Sequence, residues 1–204
     1  MARWSSIERD LRAAGAELIA GVDEVGRGPL AGPVVACAII MPPARRAIAG
    51  VDDSKALSAA ERERLDVLIR REALAVSLGA ASVREIGALN IYQATVLAMR
   101  RALTRLAVTP DAVLIDGKPI KTLGLEHRAV VGGDRRCYSV ACASIVAKVT
   151  RDKLLSSLSV RYPVYGWDRN AGYGTPIHLA ALREAGLTAH HREGFCTRTV
   201  TAKR

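Results

Sequence analysis

The chain has 204 residues, of which half are hydrophobic and a quarter are charged. This length fits one domain, or one domain with a small addition, and the composition excludes a disordered chain. Thirty Lys and Arg against twenty Asp and Glu give a net charge of +10, which is typical of polyanion-binding proteins but also of ordinary solvated surfaces. No uncharged run approaches the roughly 18 residues of a membrane helix, so we predict no membrane insertion.

Two features predict a cytoplasmic protein. Residues 8–10, Glu-Arg-Asp, occupy the place where a signal peptide needs an apolar core. The four cysteines form no CxxC pair, and Cys37 and Cys142 lie in apolar or alanine-rich runs where cysteine acts as a small buried hydrophobe. A reducing compartment is therefore the simplest setting.

The first half of the chain predicts alternating helices and strands. Two early strands flank a turn rich in Gly and Pro, which indicates a hairpin pair. Ser58 and Glu61 form a capping-box signal for the helix that follows. In chain order the predicted elements are a helix at 6–14, strands at 17–24 and 34–40, a helix at 59–73, a strand at 74–82 and a long one-sided helix at 83–107.

The second half adds two strands and two helices. Each predicted strand ends in an acid, Asp116 in one and Asp134 in the other, and the last helix has Pro176 in its first turn and Gly186 after its end. The predicted strands cover 112–117 and 128–134, and the predicted helices cover 139–158 and 175–186. This order of elements predicts an α/β domain with a mixed sheet.

Four acids share one predicted position. Asp23, Glu24, Asp116 and Asp134 each lie at or just beyond the end of a predicted strand, beside or near glycine. Carboxylates that converge repel one another unless a cation neutralises them, and oxygen ligands suit Mg²⁺ or Mn²⁺. On a basic protein, such a cluster indicates metal-assisted phosphodiester hydrolysis.

A plain turn role is the alternative for two of these acids. Asp beside Gly is common in turns, and this reading is favoured for Asp116 or Asp134 taken alone. Asp23 and Glu24 are different, because residues 26–29, Gly-Arg-Gly-Pro, follow them and allow a backbone to approach a ligand closely. Neighbouring strand residues face opposite sides, so we expect one acid of the pair to lie directly on the metal face and the other at its margin.

The motifs DEVGRGPLAGPV, DDSKALS, IDG, GGD, ASIVAKVTRD, GYGT and HHREGF resemble bacterial ribonuclease HII, in the order of that family and over residues 20–196. The resemblance implies a ribonuclease H-like mixed β-sheet flanked by helices. It also implies a catalytic domain over residues 1–162 and a small C-terminal helical extension over 163–204. The implied reaction is hydrolysis in RNA/DNA hybrids and 5′ of single ribonucleotides in duplex DNA, by a monomer that uses Mg²⁺ or Mn²⁺.

The resemblance also assigns roles to residues. The family's catalytic and metal-binding carboxylates fall on the four acids, Asp23, Glu24, Asp116 and Asp134. Its ribose-reading turn falls on Gly26, Arg27 and Gly28, and its junction-sensing tyrosine on Tyr173. A 2′-hydroxyl distinguishes RNA from DNA, so backbone groups that touch it would provide the selection.

Basic residues beside these motifs are candidates for phosphate contacts. They are Lys55, Lys148 and Arg151, and Ser144 lies one helical turn before Lys148. Lys148 and Arg151 are three residues apart and share a helix face, so a solvated face is an equal alternative. Ala171, where the family often has lysine, and Gly194, where serine is usual, depart from its pattern and affect expected affinity more than chemistry.

The histidines receive no functional role. We interpret His190 and His191, with Glu193, as polar tail residues, and His127 and His178 as isolated. Two other functions stay open: a non-catalytic nucleic-acid-binding domain, and a metal-dependent nuclease that acts on branched DNA. The intact acids disfavour the first, and the Gly-Arg-Gly turn with Tyr173 disfavours the second.

Overall fold

The structure, a computed structural model, describes residues 3–201, and their side chains through residue 197. Five strands form one sheet: β1 Ile19–Val25, β2 Val34–Ile40, β3 Ala75–Ala81, β4 Ala112–Asp116 and β5 Arg128–Val130. The helices are α1 Ser6–Ala13, α2 Ala59–Glu72, α3 Val83–Leu89, α4 Ile91–Thr104, α5 Gly133–Arg136, α6 Tyr138–Arg161, α7 Trp167–Asn170, α8 Pro176–Ala185 and α9 Glu193–Thr201. A 3-10 turn spans Pro163–Tyr165.

The sheet is mixed, in the strand order β3-β2-β1-β4-β5. β2 is antiparallel to both β1 and β3, whereas β1, β4 and β5 are parallel. The predicted hairpin of β1 and β2 is confirmed, and so is the α/β class. Because β1 and β4 are parallel neighbours, their carboxyl ends lie at the same edge of the sheet, which brings together the two strand ends that carry acids.

Each face of the sheet has its own hydrophobic core. One face packs against α4, where Met99 contacts a cluster that includes Val22 and Ala36. The other face packs against α2 and α6, where Ile145 belongs to a cluster with Cys37. All four cysteines are buried and free, as predicted for the two in apolar runs.

The core helix α6 approaches β1 closely because β1 contains a glycine. A Cβ atom placed on Gly21 would lie 2.2 Å from the carbonyl carbon of Ser139. The same first turn of α6 is capped from α1, since the buried carboxylate of Glu8 accepts the backbone N–H groups of Tyr138 and Ser139. A carboxylate at a helix N-terminus satisfies unpaired donors and the helix dipole together. These contacts fix α6 over the centre of the sheet.

The C-terminal helices pack on the β1–β2 connection rather than on the sheet faces. Their cluster contains Tyr165, Trp167 and Leu179, and it includes Leu30 and Ala31 from that connection. An isolated bridge joins Ala31 to His191. The C-terminal region therefore lies directly against the segment that follows the acidic pair.

One predicted helix is two. The pattern over 83–107 predicts a single helix, but the structure has α3 and α4 with a break at Asn90. Asn90 has φ 76°, in the left-handed region, and its side-chain oxygen accepts the N–H groups of Tyr92 and Gln93. An Asn that adopts this conformation and caps the next helix ends the first one, while the apolar stripe continues across the break.

The strand predicted over 128–134 is wrong at its end. β5 stops at Val130, and Asp134 lies in the first turn of α5. Gly132 has φ 68°, and this left-handed turn redirects the chain from strand to helix. Asp134 thus reaches the site from a helix, not from a strand end.

Of the two helices at the C-terminal end, α9 was not predicted and α8 was. α9 has no counterpart among the predicted elements, because its sequence contains glycine and several threonines, which are weak helix formers. The predicted helix α8 is confirmed, with Pro176 at its start and Gly186 as its C-cap. Within residues 3–201, none of the helices has the length and apolar character needed to cross a membrane.

Candidate active site

β1 ends in two carboxylates that lie on opposite faces of the sheet. Asp23 is opposite Cys37, which packs on the α6 face, and Glu24 is opposite Ala36, which packs on the α4 face. Residues that face each other across two strands point to the same side of a sheet. The two adjacent acids therefore diverge, as the sequence predicted.

Asp116 is the last residue of β4. It links the strand ends of β1 and β4 to α5, the third element of the site. Its Oδ1 accepts the backbone N–H of Gly133 at 2.6 Å. This bond holds the start of α5 against the end of β4, so Asp134, the second residue of α5, lies within electrostatic range of Asp116. The structure thus brings together the four acids from β1, β4 and α5.

Burial and mutual repulsion disfavour the charged form of Asp23. Burial raises the pKa of Asp23 well above its ordinary value, and the charges of Glu24 and Asp116 raise it further. A side-chain hydrogen bond from Ser144 opposes this change. Asp23 is 5% exposed, so water does not offset the repulsion.

The other two shifted acids follow the same logic. Burial raises the pKa of Glu24, Asp116 raises it further, and Arg27 opposes the rise from 3.3 Å away. Burial also raises the pKa of Asp134, followed by the charges of Asp116 and Asp53. Three carboxylates are therefore held where ionisation is costly, an arrangement that a cation would relieve.

The chemistry of these donors fits a hard divalent cation. All four are carboxylates, the ligands that Mg²⁺ and Mn²⁺ prefer, and no lysine or arginine neutralises Asp23 within the described residues. In the part of the chain that the structure describes, no three His, Cys, Asp or Glu side chains already surround one point closely enough to hold an ion alone. Mg²⁺ usually keeps several water ligands and needs only one or two carboxylates, so the donor set fits.

A loop from the β2–α2 connection lies over the acids. Ser54 and Ser144 share a hydrogen bond of 2.9 Å between their hydroxyls, which joins this loop to α6. Asp53 accepts the N–H of Lys55 and the Nε–H of Arg135, each at 2.9 Å. These contacts place the exposed Lys55 with its Nζ 3.6 Å from Oδ2 of Asp134.

The Gly-Arg-Gly turn is held from inside by one buried arginine. Arg192, which is 3% exposed, donates to the carbonyls of Gly26, Arg27 and Gly32. Burial first and the charge of Arg151 second lower the pKa of Arg192 to about 9, so the guanidinium stays charged at neutral pH. The carbonyls of the turn are thus directed inward.

The backbone amides of the same turn follow directly after the acidic pair in the chain. Among the described residues, no acceptor meets the N–H groups of Arg27 and Gly28, and both residues are exposed. Donors left open beside a carboxylate cluster can bind a hydroxyl or phosphate oxygen.

Tyr173 lies beside this turn. It is 47% exposed, and a Cβ placed on Gly28 would be 3.6 Å from Cε1 of its ring. The preceding residue, Gly172, accepts the N–H groups of Leu30 and Ala31, which fixes the tyrosine loop against the β1–β2 connection. The turn and the tyrosine form one surface next to the acids.

The position of Arg151 corrects the prediction of a phosphate contact there. Its side chain is fully buried and donates to the carbonyls of Pro33, Ala171 and Ala31. A buried guanidinium cannot reach a phosphate, and it does not share an exposed face with Lys148. Its contacts instead hold the same connection that Arg192 holds.

The remaining candidates for phosphate contact, Ser144 and Lys148, lie in different surroundings. Ser144 is buried and contacts Asp23, so it belongs to the acidic site rather than to a surface row. Lys148 is partly exposed, donates to Asp152 at 2.8 Å, and lines a cleft of about 320 Å³ that also includes Ala171. Gly194 faces open space, where a side chain would meet no neighbour.

Sequence reasoning missed three residues of this region. His191 is buried, not a polar tail residue, Arg192 is buried and was not singled out, and His178 is fully buried in contact with His191. The signal was the pair of histidines followed by arginine in HHREGF. Arg192, however, binds backbone carbonyls far away in the sequence, and His191 contacts Thr188 and the side chain of His178. Residue types alone do not indicate such partners.

Comparison with protein families matches residues 20–200 to the family described as Ribonuclease HII. The chain belongs to the ribonuclease HII family. Ribonuclease HII from Granulibacter bethesdensis is 55% identical over 184 residues, which cover 87% of this chain and 83% of that protein. Ribonuclease HII from Burkholderia mallei is 56% identical over 179 residues, 88% and 83% of the two chains.

Solved structures share the ribonuclease HII fold. Ribonuclease H2 from Pyrococcus horikoshii has a TM-score of 0.76 at 24% identity, over 91% of this chain and 98% of that chain. Bst-RNase HIII in complex with Mn²⁺ has a TM-score of 0.75 at 19% identity, and the match covers 97% of this chain and 73% of that chain. The chain is thus a divalent-metal-dependent ribonuclease H, a hydrolase that acts on the RNA of RNA/DNA hybrids.

Proposed function

We propose that this ribonuclease HII also nicks duplex DNA on the 5′ side of a single embedded ribonucleotide, leaving a 3′-hydroxyl and a 5′-phosphate. One observation carries the proposal: the open N–H groups of Arg27 and Gly28 and the ring of Tyr173 share one surface with the acidic cluster. A ribose and the bond beside it can therefore be read and cut together.

The acids act by holding divalent metal. Bound Mg²⁺ or Mn²⁺ would activate water and stabilise the leaving 3′ oxygen, the chemistry of two-metal hydrolysis. Asp23, Glu24, Asp116 and Asp134 would supply the ligands, and the raised pKa values of Asp23, Glu24 and Asp134 make metal the favourable counter-charge. Ser144 orients Asp23, and the Gly133 N–H orients Asp116.

The selection for ribose is a backbone function. Gly26, Arg27 and Gly28 present a turn in which the carbonyls of Gly26 and Arg27 are bound inside, which leaves amide donors for a 2′-hydroxyl. Tyr173 lies within contact distance of Gly28, where its ring stacks on the sugar or base beside the cleaved bond. A deoxyribose offers no hydroxyl to these donors, so an all-DNA duplex is not cut.

Lys55 and Lys148 are the proposed phosphate contacts. Lys55 is exposed beside Asp134, and the Lys148 cleft carries Arg62, Lys153 and Arg169. Ser144 does not bind phosphate itself; it orients Asp23, which lies next to the scissile phosphate. The net charge of +10 favours such contacts along a duplex.

The organisation of the protein is also a proposal. The proposed catalytic domain spans residues 1–162 and the proposed helical extension spans 163–204, whose described part packs on the catalytic domain through the cluster around Leu30. The extension completes the ribose-reading surface with Tyr173 and supports the turn from inside with Arg192. We place the protein in the cytoplasm, as a monomer that serves ribonucleotide removal in DNA replication and repair.

A gel assay tests the function directly. A duplex with one ribonucleotide is incubated with Mg²⁺ or Mn²⁺, beside an all-DNA duplex, an RNA/DNA hybrid and the variants Asp23→Asn and Asp116→Asn. We expect a nick 5′ to the ribonucleotide, no cut in all-DNA, and loss of cleavage with retained binding in both variants. Equal cleavage of the all-DNA duplex, or full activity of either variant, would overturn the proposal.

A further inference from the structure

Two buried histidines lie in contact beneath the Tyr173 loop. His178 is fully buried and His191 is 4% exposed, and their Nε2 atoms are 3.0 Å apart. The rings of Tyr165 and Trp167 pack around them. A buried N···N contact of this length needs one proton between the two atoms, so one ring donates and the other accepts.

The fixed groups around the pair determine which ring donates. The backbone N–H of Thr188 points at Nδ1 of His191 from 2.9 Å, so that atom must accept, and the proton of a neutral His191 is on Nε2. The indole N–H of Trp167 points at Nε2 of His178 from 3.2 Å, so that atom accepts as well. The proton of His178 is therefore on Nδ1. Both tautomers follow because the backbone N–H of Thr188 and the indole N–H of Trp167 can only donate.

The far end of this chain of bonds is the carbonyl of Tyr173. Nδ1 of His178 lies 2.8 Å from that oxygen, which can only accept, so the direction agrees with the tautomer already assigned. We propose that His178 and His191 are positioning residues that set the place of Tyr173 through a one-way hydrogen-bond relay from Thr188. The inference rests on the proposed role of Tyr173 in ribose reading.

The relay is stable as a neutral pair. Burial lowers the pKa of His178, and burial followed by the charges of His178 and His190 lowers the pKa of His191 to about 4. The charged Arg192 follows His191 in the chain and adds no favourable partner for a second positive charge. A proton added to either ring would place an N–H against the N–H of Thr188 or of Trp167.

Two substitutions of His178 separate positioning from packing. Asn reproduces the Nδ1 end of histidine and keeps a donor for the Tyr173 carbonyl, but it loses the acceptor for Trp167 and His191. Gln reproduces the Nε2 end and keeps that acceptor, but it loses the donor. A purely structural role makes His178→Asn the worse variant, because two buried donors are then unpaired.

The experiment compares both variants, with and without Tyr173→Ala, for kcat/KM on the single-ribonucleotide duplex and for Tm. We expect His178→Gln to lose about tenfold in kcat/KM, the scale of a lost supporting contact, and His178→Asn to stay within about threefold despite a lower Tm. In the Tyr173→Ala background, His178→Gln should cost nothing further.

The outcomes distinguish failure of the relay from failure of the proposed function. If Tyr173→Ala lowers activity but His178→Gln is harmless, or its loss adds fully to that of Tyr173→Ala, the relay is wrong and the ribose-reading role stands. If Tyr173→Ala has no effect, both are wrong.

A second measurement needs no variant and so does not depend on folding. In ¹⁵N NMR spectra of the wild-type protein at pH 7, the buried rings should show a proton on Nδ1 of His178 and on Nε2 of His191. The opposite tautomer in either ring would overturn the relay.

Discussion

At the scale of single residues, Asp23 links function to stability. Its pKa is raised in the folded chain above the roughly 3.9 of an unfolded one, because of burial first and of Glu24 and Asp116 second. A folded state that binds its proton more tightly is favoured at low pH. The stability that this protonation provides is lost as the pH rises through the folded-state pKa.

Asp23→Asn should therefore stabilise the protein without metal. We expect the Tm of the variant in EDTA to exceed that of wild type at pH 8, and the difference to shrink toward pH 4, where Asp23 is protonated. Calorimetry at several pH values checks this, with the exposed Asp10→Asn as control. A pH-independent difference would contradict it. Mg²⁺ should raise the Tm of wild type at pH 8 and that of the variant less.

Arg192 gives a second prediction at this scale. Arg192→Ala leaves the carbonyls of Gly26, Arg27 and Gly32 without their donor, and each buried unpaired group costs about 1–3 kcal/mol. We expect a lower Tm and at least about a tenfold loss in cleavage at a ribonucleotide, the range for residues that support a site.

Added guanidinium ion, at concentrations too low to denature, should restore part of the activity of Arg192→Ala. Arg192→Lys should rescue poorly, since one ammonium cannot bridge carbonyls that a planar group bridges. The exposed Arg183→Ala should behave as wild type. Full activity of Arg192→Ala would show that the turn holds its shape unaided.

The acids and Tyr173 could be identified from the sequence, but their supports could not. The Gly-Arg-Gly turn after Asp23 and Glu24 is a local pattern, and the resemblance to a family added the rest. Arg192 and His178 bind backbone carbonyls, which every residue has, and those that Arg192 binds lie far away along the chain. The same holds for Arg151, whose helix position predicted an exposed side chain.

At the scale of elements, glycine sets the distance between helix and sheet. Gly21→Ala would place a Cβ 2.2 Å from the Ser139 carbonyl carbon, so α6 must shift away from β1. Overpacking of this kind costs about 1–3 kcal/mol, and a shift of α6 also moves Ser144 relative to Asp23. We expect reduced stability and reduced cleavage together.

Gly87→Ala is the matched control for Gly21→Ala. Gly87 lies inside α3 with open space at its Cβ position, so alanine should stabilise the protein by about 0.5–1 kcal/mol through helix propensity. Urea denaturation measures both variants. Equal effects of the two substitutions would show that the close approach of α6 contributes no energy.

Prediction of the elements succeeded where local signals were strong. β2 has the predicted bounds, and the capping box of Ser58 and Glu61 is confirmed. It failed at Asn90 and Gly132, where one residue in the left-handed region redirects the chain, because periodicity does not report the sign of φ. It also missed α9, which depends on packing of Cys196 against the cluster around Leu30.

At the scale of the whole molecule, the net charge of +10 predicts strong dependence on salt. We expect the Kd for a ribonucleotide-containing duplex to rise at least about tenfold between roughly 50 and 200 mM salt. Lys55→Ala should lower the slope of log Kd against log salt by about one, since an exposed lysine on a phosphate releases one counterion. Fluorescence anisotropy with a catalytically inactive variant measures this, and an unchanged slope would remove Lys55 from the phosphate contacts.

The two arginines buried against the β1–β2 connection should respond to salt differently from the surface charges. Arg151 and Arg192 are buried and donate hydrogen bonds only to carbonyls, and within the described residues neither forms a salt bridge with a carboxylate. Dissolved ions cannot approach a buried charge closely, and they screen it far less than a surface one. In the proposed function, the turn that reads ribose would thus have a buried internal counter-charge for the sugar–phosphate backbone. We therefore expect salt to weaken the encounter with DNA more than it weakens the proposed reading of the sugar.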